Sequence, residues 1–82
     1  MKSWRAIPLK VGASYRMRSD VASSHGSLRS GQVVEFVAAD YSHYDNLTVL
    51  AFCEQQTGSV VGLWWFDDEA ELNWWPFEEM RA

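Results

Sequence analysis

Apolar and polar positions alternate with a period of two along most of this chain, in short runs separated by Gly, Ser, Asp and Asn. That period belongs to half-buried strands, in which successive side chains face opposite sides. In "ASYRMRSD" Tyr15 and Met17 point one way, Arg16 and Arg18 the other, predicting a strand with a basic outer face. "SSHGSLRSGQ", rich in Ser and Gly, predicts a long mobile loop. "QVVEFVAAD" sets Val34, Phe36 and Ala38 against Val33, Glu35 and Val37 as a second strand. "YSHYDN" predicts a turn, where the side chains of Asp45 and Asn46 can bond their own backbone.

"LTVLAFCE" is apolar on both faces, as a central strand requires, and "QQTG" predicts the hairpin turn that follows it. "SVVGLWWF" returns as a fourth strand, with Val61, Leu63 and Trp65 opposed to Val60, Trp64 and Phe66. Gly62 inside that strand predicts a bulge or bend. "DDEAEL" has the spacing of one helical turn, Asp68 capping it and Glu71 completing a capping box. Pro76 forbids a helix through "NWWPF" and pushes Trp75 to extended geometry, so a fifth strand at the sheet edge follows.

The sum is an all-β protein: one domain over residues 1–82, a small five-stranded SH3-like barrel with one short helical turn before the last strand. An OB-type barrel would place a full helix between its third and fourth strands, where this chain has only "QQTG". The segments "LKVGASYRM", "GQVVEF" and "YSHYDNLTVLAF", with the later Trp strand, carry the patterns L-K-x-G-x-x-Y, G-x-x-x-x-F and a Y-D turn. In these the chain resembles a family of small bacterial domains of unknown function. It is also similar to the small domains carried on integron gene cassettes. The resemblance covers residues 9–66 and implies a fold without a chemistry, so no functional residue is carried over from it.

Composition adds stability and charge to this picture. The 82 residues suffice for one core, and aromatics at 15 % supply the apolar area that so short a chain needs. The one cysteine, Cys53, excludes an internal disulfide, and the start "MKSWRAIPLKVG" has no apolar run of signal-peptide length. The expectation is a cytoplasmic chain with no membrane segment. Net charge is −4, unevenly spread: residues 1–30 hold six bases against one acid, residues 31–82 one base against ten acids.

Candidate chemistry is sparse. Cys53 with His25 or His43 is the available nucleophile pairing, but a thiol inside "LTVLAFCE" is expected to be buried and inert. Asp40, His43 and Asp45 suit zinc by type, without a repeated ligand spacing. "HGSLRSG" lacks the lysine of a phosphate loop, and "DDEAE" lacks the alternating ligands of a calcium loop. The chain reads as no enzyme, with no cofactor and no metal. Lys10, Arg16, Arg18 and Arg29 suggest a basic stripe for nucleic acid, against which a pI near 4.9 argues.

The aromatics are the remaining signal. Residues 62–80 hold four of the five tryptophans and six acids with no base. Adjacent tryptophans on a strand cannot both enter one core. Parity puts Trp65 inside and Trp64 outside, and Trp74 is expected inside with Trp75 at the rim. Trp4 and Ile7 are candidates to cover an outer ring. The expected binding set is Trp64, Trp75, Tyr41 and Tyr44, rimmed by Asp67, Asp68, Glu69 and Glu71. Such a patch fits a non-catalytic interaction module for a protein or peptide, a second copy of the chain included. The alternatives are an antitoxin or immunity-type inhibitor of a basic enzyme, and a barrel that binds a small ligand or nucleic acid.

Overall fold

Among the described residues seven strands form: β1 (Ser14–Met17), β2 (Val21–Ala22), β3 (Ser27–Leu28), β4 (Val33–Ser42), β5 (Leu47–Glu54), β6 (Val60–Phe66) and β7 (Phe77–Glu79). The computed structural model describes residues 7–70 and 72–80, and among these there is no helix. Five strands make one antiparallel sheet in the order β6-β5-β4-β1-β7, while β2 and β3 pair as a separate hairpin. The period-two reading decides the core: Tyr15, Met17, Val34, Phe36, Leu50, Phe52, Leu63 and Trp65 are all buried. Phe52 stacks on Phe77 at 5.6 Å and lies 5.4 Å from Phe36, joining three strands through aromatic contacts.

The barrel is not closed. No ladder joins β6 to β7 among the described residues. The reason lies in "NWWPF": Phe77 N–H bonds Trp74 O at 3.0 Å, so residues 74–77 form a turn and β7 begins only after buried Pro76. Three residues then pair with β1, and the gap beside β6 is filled by the β2–β3 hairpin. Leu72 and Trp74 pack on the core from the chain between β6 and β7.

The expected helical turn is replaced by a plain turn at residues 67–69. Glu69 N–H bonds Phe66 O at 3.0 Å and the Glu69 carboxylate accepts Phe66 N–H at 2.8 Å, a reciprocal cap shifted from the predicted Asp68 position. The indole N–H of Trp65 donates to the Ala70 carbonyl at 3.1 Å and ties this turn to the core. Glu71 lies outside the described residues.

Three further expectations are corrected. β4 carries a bulge between Phe36 and Ala38, so Ala38 pairs with Ala51 and leaves the face of Val34 and Phe36. Gly62 makes no bulge, because the β5–β6 register runs unbroken from Leu47↔Phe66 to Cys53↔Val60. It marks a close approach instead: Gly26, at φ +86, lies so near that a Cβ on it would meet Gly62 O at 2.1 Å. The Ser/Gly-rich stretch is no simple loop, since it folds into the β2–β3 hairpin around fully buried Leu28.

The two charge-biased halves of the chain are interleaved. Arg16 pairs in register with Glu78 and reaches it at 3.2 Å, and Lys10 approaches Glu79 at 3.9 Å. Bases of β1 and of the segment before it are thus matched to acids of β7, in exposed pairs worth about 0–1 kcal/mol each.

The β5–β6 turn depends on one carboxylate. Glu54, buried at the end of β5, accepts N–H bonds from Gln56 at 2.6 Å and Thr57 at 2.8 Å. The Thr57 backbone bond is the largest cause holding its pKa below the ordinary carboxylate range, against a desolvation that raises it. A depressed carboxylate contributes stability above its unfolded pKa, about 4.3, and loses it as pH falls through the folded value. Glu54→Gln is therefore expected to lower stability at neutral pH, with the difference from wild type shrinking below about pH 4. Denaturant melts of both proteins across pH check this, and a difference unchanged down to low pH would refute it.

Candidate functional site

The end of β6 and the β4–β5 turn meet at one pole of the sheet. Leu47↔Phe66 is the last pair of the β5–β6 ladder, and Tyr41↔Thr48 and Ser42↔Leu47 close the β4–β5 ladder beside it. Asn46 adopts φ 51, the left-handed conformation that Asn tolerates, and its carbonyl accepts Asp67 N–H at 2.9 Å. The Tyr41 hydroxyl donates to Asp67 Oδ2 at 2.6 Å, tying the two elements together. That bond, followed by desolvation and the Asp67 charge, raises the Tyr41 pKa.

Between these elements lies a cleft of about 240 Å³ lined by Asp45, Asn46, Phe66, Asp67 and Asp68. Ser42 Oγ donates to Asp45 Oδ2 at 3.1 Å and fixes that carboxylate in the turn. Tyr44 stands at the turn's tip, 99 % exposed, and Tyr41 meets His43 edge to face at 5.4 Å. Trp64 is half-buried on the outer face of β6, 6.2 Å from Phe66 edge to face. Its other neighbour is His25, whose ring lies 4.5 Å away at 32°.

Tyr41, Tyr44, Asp67, Asp68 and Glu69 thus gather at this pole, with Trp64 beside it through Phe66. Trp75 does not join them. It is 59 % exposed, held by its N–H to Asn73 Oδ1 at 3.1 Å, and carries the Arg18 guanidinium 5.3 Å from its ring centre. The inward and outward assignments of the tryptophans hold: Trp65 is 1 % exposed and Trp74 is half-buried against it at 5.7 Å. Trp4 lies outside the described residues, while Ile7 packs on the core. Glu71 likewise lies outside.

Asp45, Asn46, Phe66, Ser23 and His25 were not in the expected binding set. Asn46 and Phe66 flank acids already singled out, so their place in the cleft follows once the turn and strand end are opposed. His25 had a signal too: the Ser-x-His-Gly order of a tight tip, with Gly26 supplying positive φ.

Cys53 is half-buried rather than buried, on the outer face of β5, with Sγ 3.7 Å from Gly58 O. His43 belongs to the turn at the opposite end of β5, about 20 Å of extended chain away. His25 stacks on Trp64, whose partner Val49 is about 13 Å along β5 from Cys53. No nucleophile–base contact forms between them. Among the described residues no group of three His, Cys, Asp or Glu side chains is placed to hold a metal ion.

A larger, open groove of about 920 Å³ runs along Lys10, Gly12, Ala13, Ser14, Val33, Gln55, Glu79 and Met80. Its two charges face each other across 3.9 Å, so it offers no net charge for selecting a ligand. The small cleft is the chemically distinctive one. No described helix is long and apolar enough to cross a membrane. Comparison with protein-family models, curated proteins and solved structures finds no match to this chain.

Proposed function

We propose that this chain is a non-catalytic interaction module that binds a basic protein or peptide through Tyr44, Trp64 and Phe66 and the rim of Asp45, Asp67 and Asp68. The cleft carries the reading: Asp45, Asp67 and Asp68 line it together with Phe66, and no base is among its described lining residues. An Arg or Lys side chain fits such a site, its aliphatic stem on the ring and its charge among the carboxylates. The neighbouring rings add cation–π attraction, and the concentrated negative charge steers a basic partner. A basic enzyme held by an immunity-type inhibitor is one partner of this chemistry, and a second copy of the chain another. Arg16 and Lys10 are matched to Glu78 and Glu79, which favours a protein partner over nucleic acid. A cytoplasmic, bacterial setting belongs to the proposal, resting on the single cysteine and on the resemblance to cassette-borne domains.

Titration with an arginine-rich peptide, followed by tryptophan fluorescence, tests the reading. The double variant Asp45→Lys/Asp68→Lys is expected to weaken binding by about tenfold or more and to flatten its salt dependence. Glu79→Lys, on β7, is expected to leave binding unchanged. Absence of saturable binding, or equal weakening by Glu79→Lys, would set the proposal aside.

A further inference from the structure

We propose that the tip of the β2–β3 hairpin, residues 23–26, is an intramolecular cover over Trp64 that swings off β6 while the hairpin base stays anchored. Its biological meaning rests on the binding role proposed for the Trp64 surface, but the movement can be measured without any partner.

The cover has three attachments. The His25 ring lies on the Trp64 indole at 4.5 Å, occupying an aromatic face that a partner would need. Ser23 Oγ accepts the backbone N–H of Trp64 at 3.1 Å, a group that faces outward from the edge strand. Gly26 lies flat on Gly62, close enough that only a residue without Cβ fits there. The Ser23 hydroxyl also organises the tip itself, accepting His25 N–H at 3.3 Å and contacting the carbonyls of His25 and Gly26.

None of these is an apolar anchor. Ala22, Ser24, His25, Gly26 and Ser27 are exposed, whereas Leu28 at the base is fully buried. The hairpin forms its own two-stranded sheet and adds no backbone ladder to β6. An element held by one side-chain hydrogen bond, one ring stack and one glycine–glycine contact opens at far lower free energy than a core ladder. Opening frees, in one movement, the indole face, the Trp64 N–H and the Gly62 carbonyl. That is the edge of a strand beside an aromatic ring, the surface to which an extended peptide segment adds.

Amide hydrogen exchange by NMR on the full chain tests the cover. The Trp64 amide is expected to exchange about tenfold or more faster than those of Leu50 and Phe52 in the interior strand β5. His25→Ala and Ser23→Ala, both at the exposed tip with Leu28 intact, should each accelerate Trp64 severalfold further and leave Leu50 and Phe52 unchanged. A Trp64 amide that exchanges at the rate of Leu50 and Phe52 would overturn the proposal, as would a rate indifferent to both substitutions. These readouts contain no partner, so a failed peptide titration leaves the cover standing, and a fixed hairpin tip leaves the peptide result standing.

Discussion

Trp65→Ala is expected to cost about 3 to 5 kcal/mol and to leave the domain largely unfolded. The indole is 1 % exposed, stands edge to face with Trp74 at 5.7 Å, and donates its N–H to the Ala70 carbonyl at 3.1 Å. Truncation would remove the ring's buried area, open a cavity, and release the turn that its hydrogen bond holds. A chain of this length has a total stability of about 4 to 12 kcal/mol, so one such loss is comparable with the whole. Trp64→Ala is the matched control on the adjacent position. Its ring is half-buried on the outer face, and its loss should shift the denaturation midpoint much less. Equilibrium denaturation of the two variants decides; similar losses would mean that β6 does not separate an inner from an outer face energetically.

Leu28→Ala is expected to cost about 2 to 5 kcal/mol, as a core truncation does. A leucine in "SSHGSLRSG" would ordinarily be a loop residue, and its replacement would be worth within about 0.5 kcal/mol. Here it is 0 % exposed, packed with Val34, Phe36, Leu50 and Leu63 in the core cluster. It pairs in the hairpin with Val21, itself half-buried against the same cluster. The hairpin therefore acts as the missing wall of an open barrel, plugging the gap beside β6 with one side chain. Urea denaturation measures the loss, and a change no larger than that of Ser24→Ala would show that the plug contributes nothing. The same variant bears on the hairpin tip, because without its anchor the whole hairpin, not only residues 23–26, should lose amide protection.

The two substitutions mark where sequence pattern suffices and where it does not. Trp65 and Trp64 were separable from residue order alone, since strand geometry sends neighbours to opposite faces whatever the strand pairs with. Local patterns also gave the all-β class, the interior position of "LTVLAFCE" and the turns at "YSHYDN" and "QQTG", whereas parity did not reach Trp74 and Trp75 beside Pro76. Of the candidate site, Tyr41, Tyr44, Asp67, Asp68 and Glu69 were legible as an aromatic and acidic concentration.

What the pattern could not carry is which distant segments meet. A period of two is silent about partner register, so the bulge at Val37, which moves Ala38 to the other face, appears only when β4 is laid against β5. Leu28 looked like a loop residue because its strand is two residues long and pairs only with another as short. Gly62 was read as a bend in its own strand, whereas its role is set by Gly26, far away in the chain. The helical turn gave way to a turn that Glu69 closes on Phe66, and the barrel stayed open, with β7 reduced to three residues after the turn at Pro76. Trp75 left the acidic pole for Arg18, and His25 came to lie on Trp64, through contacts between segments that share no local signal. The chain by itself determined the faces of its strands, because that geometry is local. The tertiary structure alone decided the partners of those faces, because pairing and packing between distant segments leave no periodicity to read.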